Sequence, residues 1–85
     1  MRTSGPAETW TIRSGADFGR AVAGVRDAKG VTQAELADTL ELHRSYLARL
    51  EGGHAPAYVD RALRALRRMG AEVTVTLPAD HGGED

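Results

Sequence analysis

The chain has no cysteine. That absence removes disulfide staples, cysteine-based zinc sites and thiol chemistry together. Nowhere does the sequence approach the roughly 18 consecutive apolar residues of a membrane span. The opening MRTSGPAE lacks the apolar stretch of a secretory signal, so the expected location is the cytoplasm. Internal repeats and low-complexity runs are missing too. There is no nucleophile–base arrangement, no glycine-rich phosphate loop, and no companion at metal-ligand spacing for His43 or His81. We therefore expect no enzyme, no metal and no cofactor. Net charge is also nearly absent, at −1.

What is present is enough for one domain. A chain of 85 residues buries only about 60% of the surface its unfolded form exposes. Its core is marginal, which favours a compact helical unit or an obligate oligomer. The hydrophobic fraction of 41% and charged fraction of 27% are those of a folded globular protein. The near-neutral total hides an uneven distribution: +3 over residues 58–71, −3 over 31–42 and −4 over 72–85. Basic helices thus stand beside an acidic one and an acidic tail. Nucleic-acid binding calls for a basic patch, not a basic total.

Residues 1–8 and 79–85 read as flexible tails around a domain over 9–78, the second of them acidic. Thr9 to Arg13 alternates, with Trp10 and Ile12 on one side, and reads as a short strand. Ser14 and Asp17 have the spacing of a helix start; Phe18, Val22 and Val25 recur at helical period, and Gly30 stops that helix. Thr32-Gln33-Ala34-Glu35 is a capping box opening a second helix, with Leu36, Ala37 and Leu40 expected inward. After a short turn an amphipathic stretch begins near His43, carries Leu47 and Leu50 inward, and ends at Gly52-Gly53. Pro56 suits the first residue of a fourth helix, in which Ala62, Leu63, Leu66 and Met69 are expected to face the core. Glu72 to Leu77 then alternates strictly, with Val73, Val75 and Leu77 on one face, until Pro78 closes the strand.

Two short helices joined by a tight turn, with small Ala37 inside the first, suggest a helix-turn-helix. Thr32-Gln33-Ala34-Glu35-Leu36-Ala37, then Leu42, Leu47 and Leu50-Glu51-Gly52-Gly53, resembles the Cro/CI-type (XRE) repressor family over about residues 18–70. A narrower set adds to this. Gly19-Arg20, Val22, Arg26 and Gly30-Val31-Thr32-Gln33, with the arginine-rich helix ending at Met69-Gly70 and the strand after it, resembles the HipB-type antitoxins. Those are dimeric DNA-binding partners of HipA-type kinase toxins that repress their own operon.

The resemblance implies a mainly α fold: a four-helix Cro/CI-type domain with terminal strands forming a small sheet. It places a recognition helix at about 44–51, in the major groove. Arg44, Ser45 and Arg49 fall on the base-reading face, where an arginine fork matches the O6 and N7 acceptors of guanine. Tyr46 is placed against a thymine methyl or a phosphate. Gln33 matches the family's phosphate-contacting glutamine, and His54 lies where relatives often carry a backbone-touching lysine. Arg26 and Glu51 correspond to a structural ion pair, with a phosphate contact as a second role for Arg26.

Two departures stand out. Glu41 occupies the turn position where relatives usually have glycine, and His43 stands where serine or threonine normally caps the recognition helix. Arg61, Arg64 and Arg68, with Arg67 beside them, form a basic stripe. It is open to two readings, a solvated face or a docking surface for DNA or an acidic partner.

A lone strand leaves unpaired edges. We therefore expect Trp10, Ile12, Val73, Val75 and Leu77 to build a sheet between the subunits of a homodimer, pairing within one chain being the competing arrangement. The expected function is a DNA-binding repressor of a palindromic operator, with a HipA-like toxin as second partner. A stand-alone regulator of the same fold and a protein-interaction module without DNA binding are the alternatives.

Overall fold

The computed structural model describes residues 7–79. Apart from Ala7, Glu8 and Ala79, the expected tails lie outside the described residues, as does His81. The order is β1 (Glu8–Thr11), α1 (Gly15–Ala28), α2 (Gln33–Leu40), α3 (Arg44–Glu51), α4 (Ala57–Arg68) and β2 (Thr74–Leu77). This is the strand, four helices, strand expected from the sequence, with ends shifted by a few residues. Pro56 is the residue preceding α4, not its first member.

Local capping accounts for the helix starts. The Ser14 hydroxyl accepts the Asp17 N–H at 3.1 Å. The Asp17 carboxylate in turn accepts the Arg13 N–H at 2.9 Å and an Arg20 guanidinium N–H at 2.5 Å. Hydrogen bonding from the Arg13 backbone is the main cause that holds the Asp17 carboxyl below the usual carboxylate range. Asp60, in the first turn of α4, accepts the Gly15 N–H at 2.6 Å. One of the orphan donors of α1 is thereby satisfied, and the start of α1 is locked to α4.

The core lies on both sides of α1. Ile12, Ala21 and Leu63 are buried together, with Trp10, Val59, Val73 and Val75 packed against them. On the other side Ala37 and Leu47 are buried, at 2% and 1% exposure. Fully burying a side chain such as Ile12 or Leu47 is worth about 1.5–3 kcal/mol. The closest approach of α1 to α3 is at Gly19, where any Cβ would overlap the Leu50 carbonyl.

The two strands were expected to pair between subunits; in the structure they pair with each other within the chain, the competing arrangement. β1 runs antiparallel to β2 with Glu8 opposite Leu77, Thr9 opposite Thr76, Trp10 opposite Val75 and Thr11 opposite Thr74. The Ile12 N–H donates to the Val73 carbonyl at 2.9 Å and extends the ladder. The Asp60–Gly15 bond and a hydrogen bond from the Arg67 guanidinium to the Arg13 carbonyl hold α4 beside the β1–α1 junction. The chain leaving α4 therefore arrives next to β1. Trp10 lies over α1 at Gly24, where a Cβ would overlap the indole.

Several residues expected inward are on the surface. Leu40 is 51% exposed, Leu66 37% and Met69 75%, and Ala62 is exposed as well. The reason is coverage. Helical period marks an apolar stripe, but α2 packs chiefly on α3 and α4 chiefly on α1. Only the part of each stripe under that one neighbour is buried, and in α4 that part is Val59 and Leu63.

Glu41 has φ 59° and ψ 41°, the left-handed conformation that costs a side-chain-bearing residue about 1–2 kcal/mol. Glu41→Gly is expected to stabilise the fold by about 1 kcal/mol, after subtracting the extra freedom glycine has when unfolded. Gly19→Ala is expected to destabilise by about 3 kcal/mol, because the obstructing atoms are backbone. Urea denaturation midpoints check both.

Candidate nucleic-acid interface

The helix-turn-helix is built from short-range rules. The Thr32 hydroxyl accepts the Glu35 N–H at 3.0 Å and the Glu35 carboxylate accepts the Thr32 N–H at 2.9 Å, completing the capping box that starts α2. At the other end, left-handed Glu41 turns the chain, and the Leu42 N–H donates back to the Ala37 carbonyl at 2.9 Å. α3 then begins after His43, whose side chain makes no capping bond. Buried Leu47 and half-buried Leu50 fix which face of α3 points in.

The opposite face carries Arg44, Ser45, Ala48 and Arg49, all exposed, with Tyr46 at its flank and 53% exposed. Among the described residues no ion pair engages Arg44 or Arg49. Their N–H groups are available to acceptors outside the protein. Ala48 was passed over in the sequence, although its spacing from Arg44 and Ser45 places it on the same face. A methyl group between polar neighbours suits contact with a thymine methyl.

The far end of α3 is anchored by a charged cluster. Arg26 Nε donates to Glu51 Oε2 at 2.7 Å, and Arg26 Nη2 donates to Glu51 Oε1 at 2.9 Å. The expected ion pair is thus present and bidentate, a geometry that guanidinium and carboxylate match well. Arg26 Nη1 also donates to the Val31 carbonyl at 2.8 Å. The Glu51 side chain is 5% exposed and that of Arg26 14%. The Arg26 bonds hold the Glu51 carboxyl below the usual carboxylate range against the opposing effect of burial, and Glu51 raises the affinity of Arg26 for its proton.

Gln33, expected at a phosphate, donates through Nε2 to Glu51 Oε1 at 2.9 Å. Its amide has a second N–H and a carbonyl oxygen beyond that bond. His54, in the loop after α3, is exposed and its backbone N–H donates to the Arg49 carbonyl at 2.9 Å. Tyr46, Arg49 and His54 border a cleft of about 580 Å³, together with Tyr58 of α4, which is 70% exposed. Tyr58 had no sequence signal, since only the path of the loop brings it to α3. Arg61, Arg64 and Arg68 are exposed along α4, whereas Arg67 is tied to the Arg13 carbonyl. Among the described residues no cluster of side chains suited to a metal ion occurs, and no helix is long and apolar enough to cross a membrane.

Removing the Glu51 carboxylate strands a guanidinium that is mostly shielded from water. Glu51→Ala is expected to cost about 3 kcal/mol. Because the folded-state pKa of Glu51 is depressed, its stabilisation is complete above the unfolded pKa and is lost as pH falls through the folded one. The stability difference between the parent chain and Glu51→Gln is therefore expected to shrink on acidification below about pH 4. Denaturant titrations at several pH values measure it.

Among curated proteins and among solved structures, none matches the chain. A family model described as a helix-turn-helix domain matches residues 17–75, most of the sequence and all of the elements that position α3. Taken with the capped α2, the tight turn and the exposed face of α3, that match shows that the chain belongs to the helix-turn-helix domain family of the Cro/CI type.

Proposed function

We propose that the protein is a sequence-specific transcriptional repressor that binds a palindromic operator as a homodimer. The observation that carries this reading is the exposed face of α3. Arg44 and Arg49 stand on it without an ion pair among the described residues, beside Ser45, Ala48 and Tyr46. In the major groove the two arginines supply paired donors for guanine, each such contact worth about 1–3 kcal/mol of discrimination. Gln33 and His54 then serve phosphates on either side of α3, with the second N–H of the Gln33 amide as donor and Arg26 supporting it through Glu51. A twofold axis sets two such helices about one helical turn apart, so half-site spacing follows from symmetry.

Within that function we read the chain as a HipB-like antitoxin that works in the cytoplasm and also binds a HipA-like kinase toxin. The support is the set Gly19-Arg20, Val22, Arg26 and Gly30-Val31-Thr32-Gln33, with the strand that follows α4. The exposed stripe of Arg61, Arg64 and Arg68 is a suitable surface for an acidic partner. A kinase-like protein encoded by the neighbouring reading frame, co-purifying with this chain, supports the antitoxin role. A neighbour of another kind leaves a stand-alone regulator.

Selection from a random duplex library, followed by titration at rising salt, tests the DNA reading. A preferred palindrome that stays preferred at raised salt is expected. Arg44→Ala is expected to lose about 1–3 kcal/mol on that sequence and to relax preference at one base position, while Gln33→Ala weakens all sequences alike. Equal effects from both substitutions contradict the assignment. Absence of any duplex binding leaves a protein-interaction module.

A further inference from the structure

The inner side of α4 ends at Val59 and Leu63, which join the core. Next to them Tyr58, Ala62, Leu66 and Met69 follow one another at intervals of four, four and three, so one helical face carries them all. Tyr58 and Met69, at its two ends, are 70% and 75% exposed, so the largest side chains are the least covered. The face runs for about 16 Å along the helix, roughly three turns. A contiguous exposed apolar patch of this kind marks a contact surface, and tyrosine and methionine are types enriched in such contacts.

Charge on this side of α4 has one sign. Arg61 and Arg68, seven positions apart, flank the apolar residues on the side away from the core, with Arg64 beyond them. All three are exposed, and among the described residues none forms an ion pair. The single carboxylate of α4, Asp60, is turned to the opposite side, where it accepts the Gly15 N–H. Arg67 is on that opposite side too, bonded to the Arg13 carbonyl. These two contacts hold α4 with its apolar and basic residues facing outward.

We infer that this face docks an acidic amphipathic helix of a partner protein. Aliphatic side chains of the partner lie on Tyr58, Leu66 and Met69, and its carboxylates meet Arg61, Arg64 and Arg68, whose guanidinium forks match them. This deepens the reading of the arginine stripe given above and rests on it. A duplex engages the arginines by charge but offers the apolar residues nothing to lie on. An anionic bilayer takes a helix by a wide apolar side, and in α4 Val59 and Leu63 are already committed to the core. A second copy of the same face sets arginines beside arginines, which is repulsive. Only a surface that is apolar and negative at once complements both halves of this one.

The test uses the full chain and a fluorescein-labelled synthetic helix, stapled, with leucine at i, i+4, i+7 and i+11 and glutamate along one flank. Two twins replace its glutamates with lysine or its leucines with serine. In anisotropy titrations the acidic amphipathic peptide is expected to bind, and each twin at least about tenfold more weakly. Met69→Ala, and Arg61→Ala combined with Arg68→Ala, are each expected to weaken binding about tenfold. The arginine pair also flattens its salt dependence. Arg44→Ala on α3 leaves the peptide's affinity unchanged. Circular dichroism checks the fold of each variant. Chemical-shift mapping on the parent chain needs no variant, and the peptide is expected to move the resonances of Tyr58, Ala62, Leu66 and Met69.

No binding of the acidic peptide overturns the inference, as does equal binding of either twin. Shifts confined to α3 or to the sheet overturn it as well. Phosphatidylglycerol vesicles or a random duplex that move the α4 resonances when the peptide does not assign the face to a membrane or to DNA, and equally overturn it. The neighbouring kinase-like protein is scored separately. Its binding, if unaltered by Met69→Ala and by the arginine pair, removes this docking site and leaves the antitoxin reading standing. Peptide binding on α4 without kinase binding contradicts the antitoxin reading and leaves the docking site.

Discussion

One carboxylate joins three helices. Glu51, the last residue of α3, receives two bonds from Arg26 of α1 and one from Gln33 of α2. Arg26 also reaches the carbonyl of Val31, just before α2 begins. A helix as short as α3 has little stability of its own, because nucleation is costly and few backbone bonds follow. Its orientation has to come from outside. Leu47 supplies an apolar anchor at its middle, and the charged cluster clamps its end. The first turn is the least secured part, since His43 makes no capping bond. It is also the part that carries Arg44 and Ser45, the side chains that the proposed function sets against base edges. Rigidity at one end and freedom at the other fit a helix that must be aimed yet still adjust.

Strain and exposure are distributed in a related way. The turn between α2 and α3 places Glu41 in a left-handed conformation, and the helix crossing at Gly19 admits no side chain. Both features serve the angle and position of α3. The apolar surface left open lies elsewhere, along α1 beside β2 and on the outer side of α4. The fully buried core among the described residues is small and apolar, with the shielded Arg26–Glu51 pair beside it. A chain this short gains by burying more apolar surface against a second molecule.

Much of this was legible in the sequence where the determinants are local. The Thr32–Glu35 capping box, the Ser14 cap and the turn at Glu41 each follow from residues within a few positions of one another. The face of α3 was legible because Leu47 and Leu50 mark its inner side. The pairing of Arg26 with Glu51 spans 25 positions and was reached through family resemblance. The bond from Gln33 to Glu51 was missed: nothing in the spacing shows that the carboxylate lies under the first turn of α2. Leu40, Leu66 and Met69 were placed inward because periodicity reveals an apolar stripe but not what covers it. Tyr58 was invisible for the same reason, its position beside α3 being set by the loop. Which strands pair was left open by alternation alone, and the contacts of Asp60 and Arg67 with the β1–α1 junction decide it.

The central claim is that the outer face of α3 enters a DNA groove. The most direct measurement is amide and side-chain chemical-shift mapping of the labelled protein titrated with its selected duplex. The account expects the largest changes at Arg44, Ser45, Ala48 and Arg49, with smaller ones at Gln33 and His54. Changes confined to the α4 arginines or to the sheet, with α3 unaltered at saturation, would contradict it.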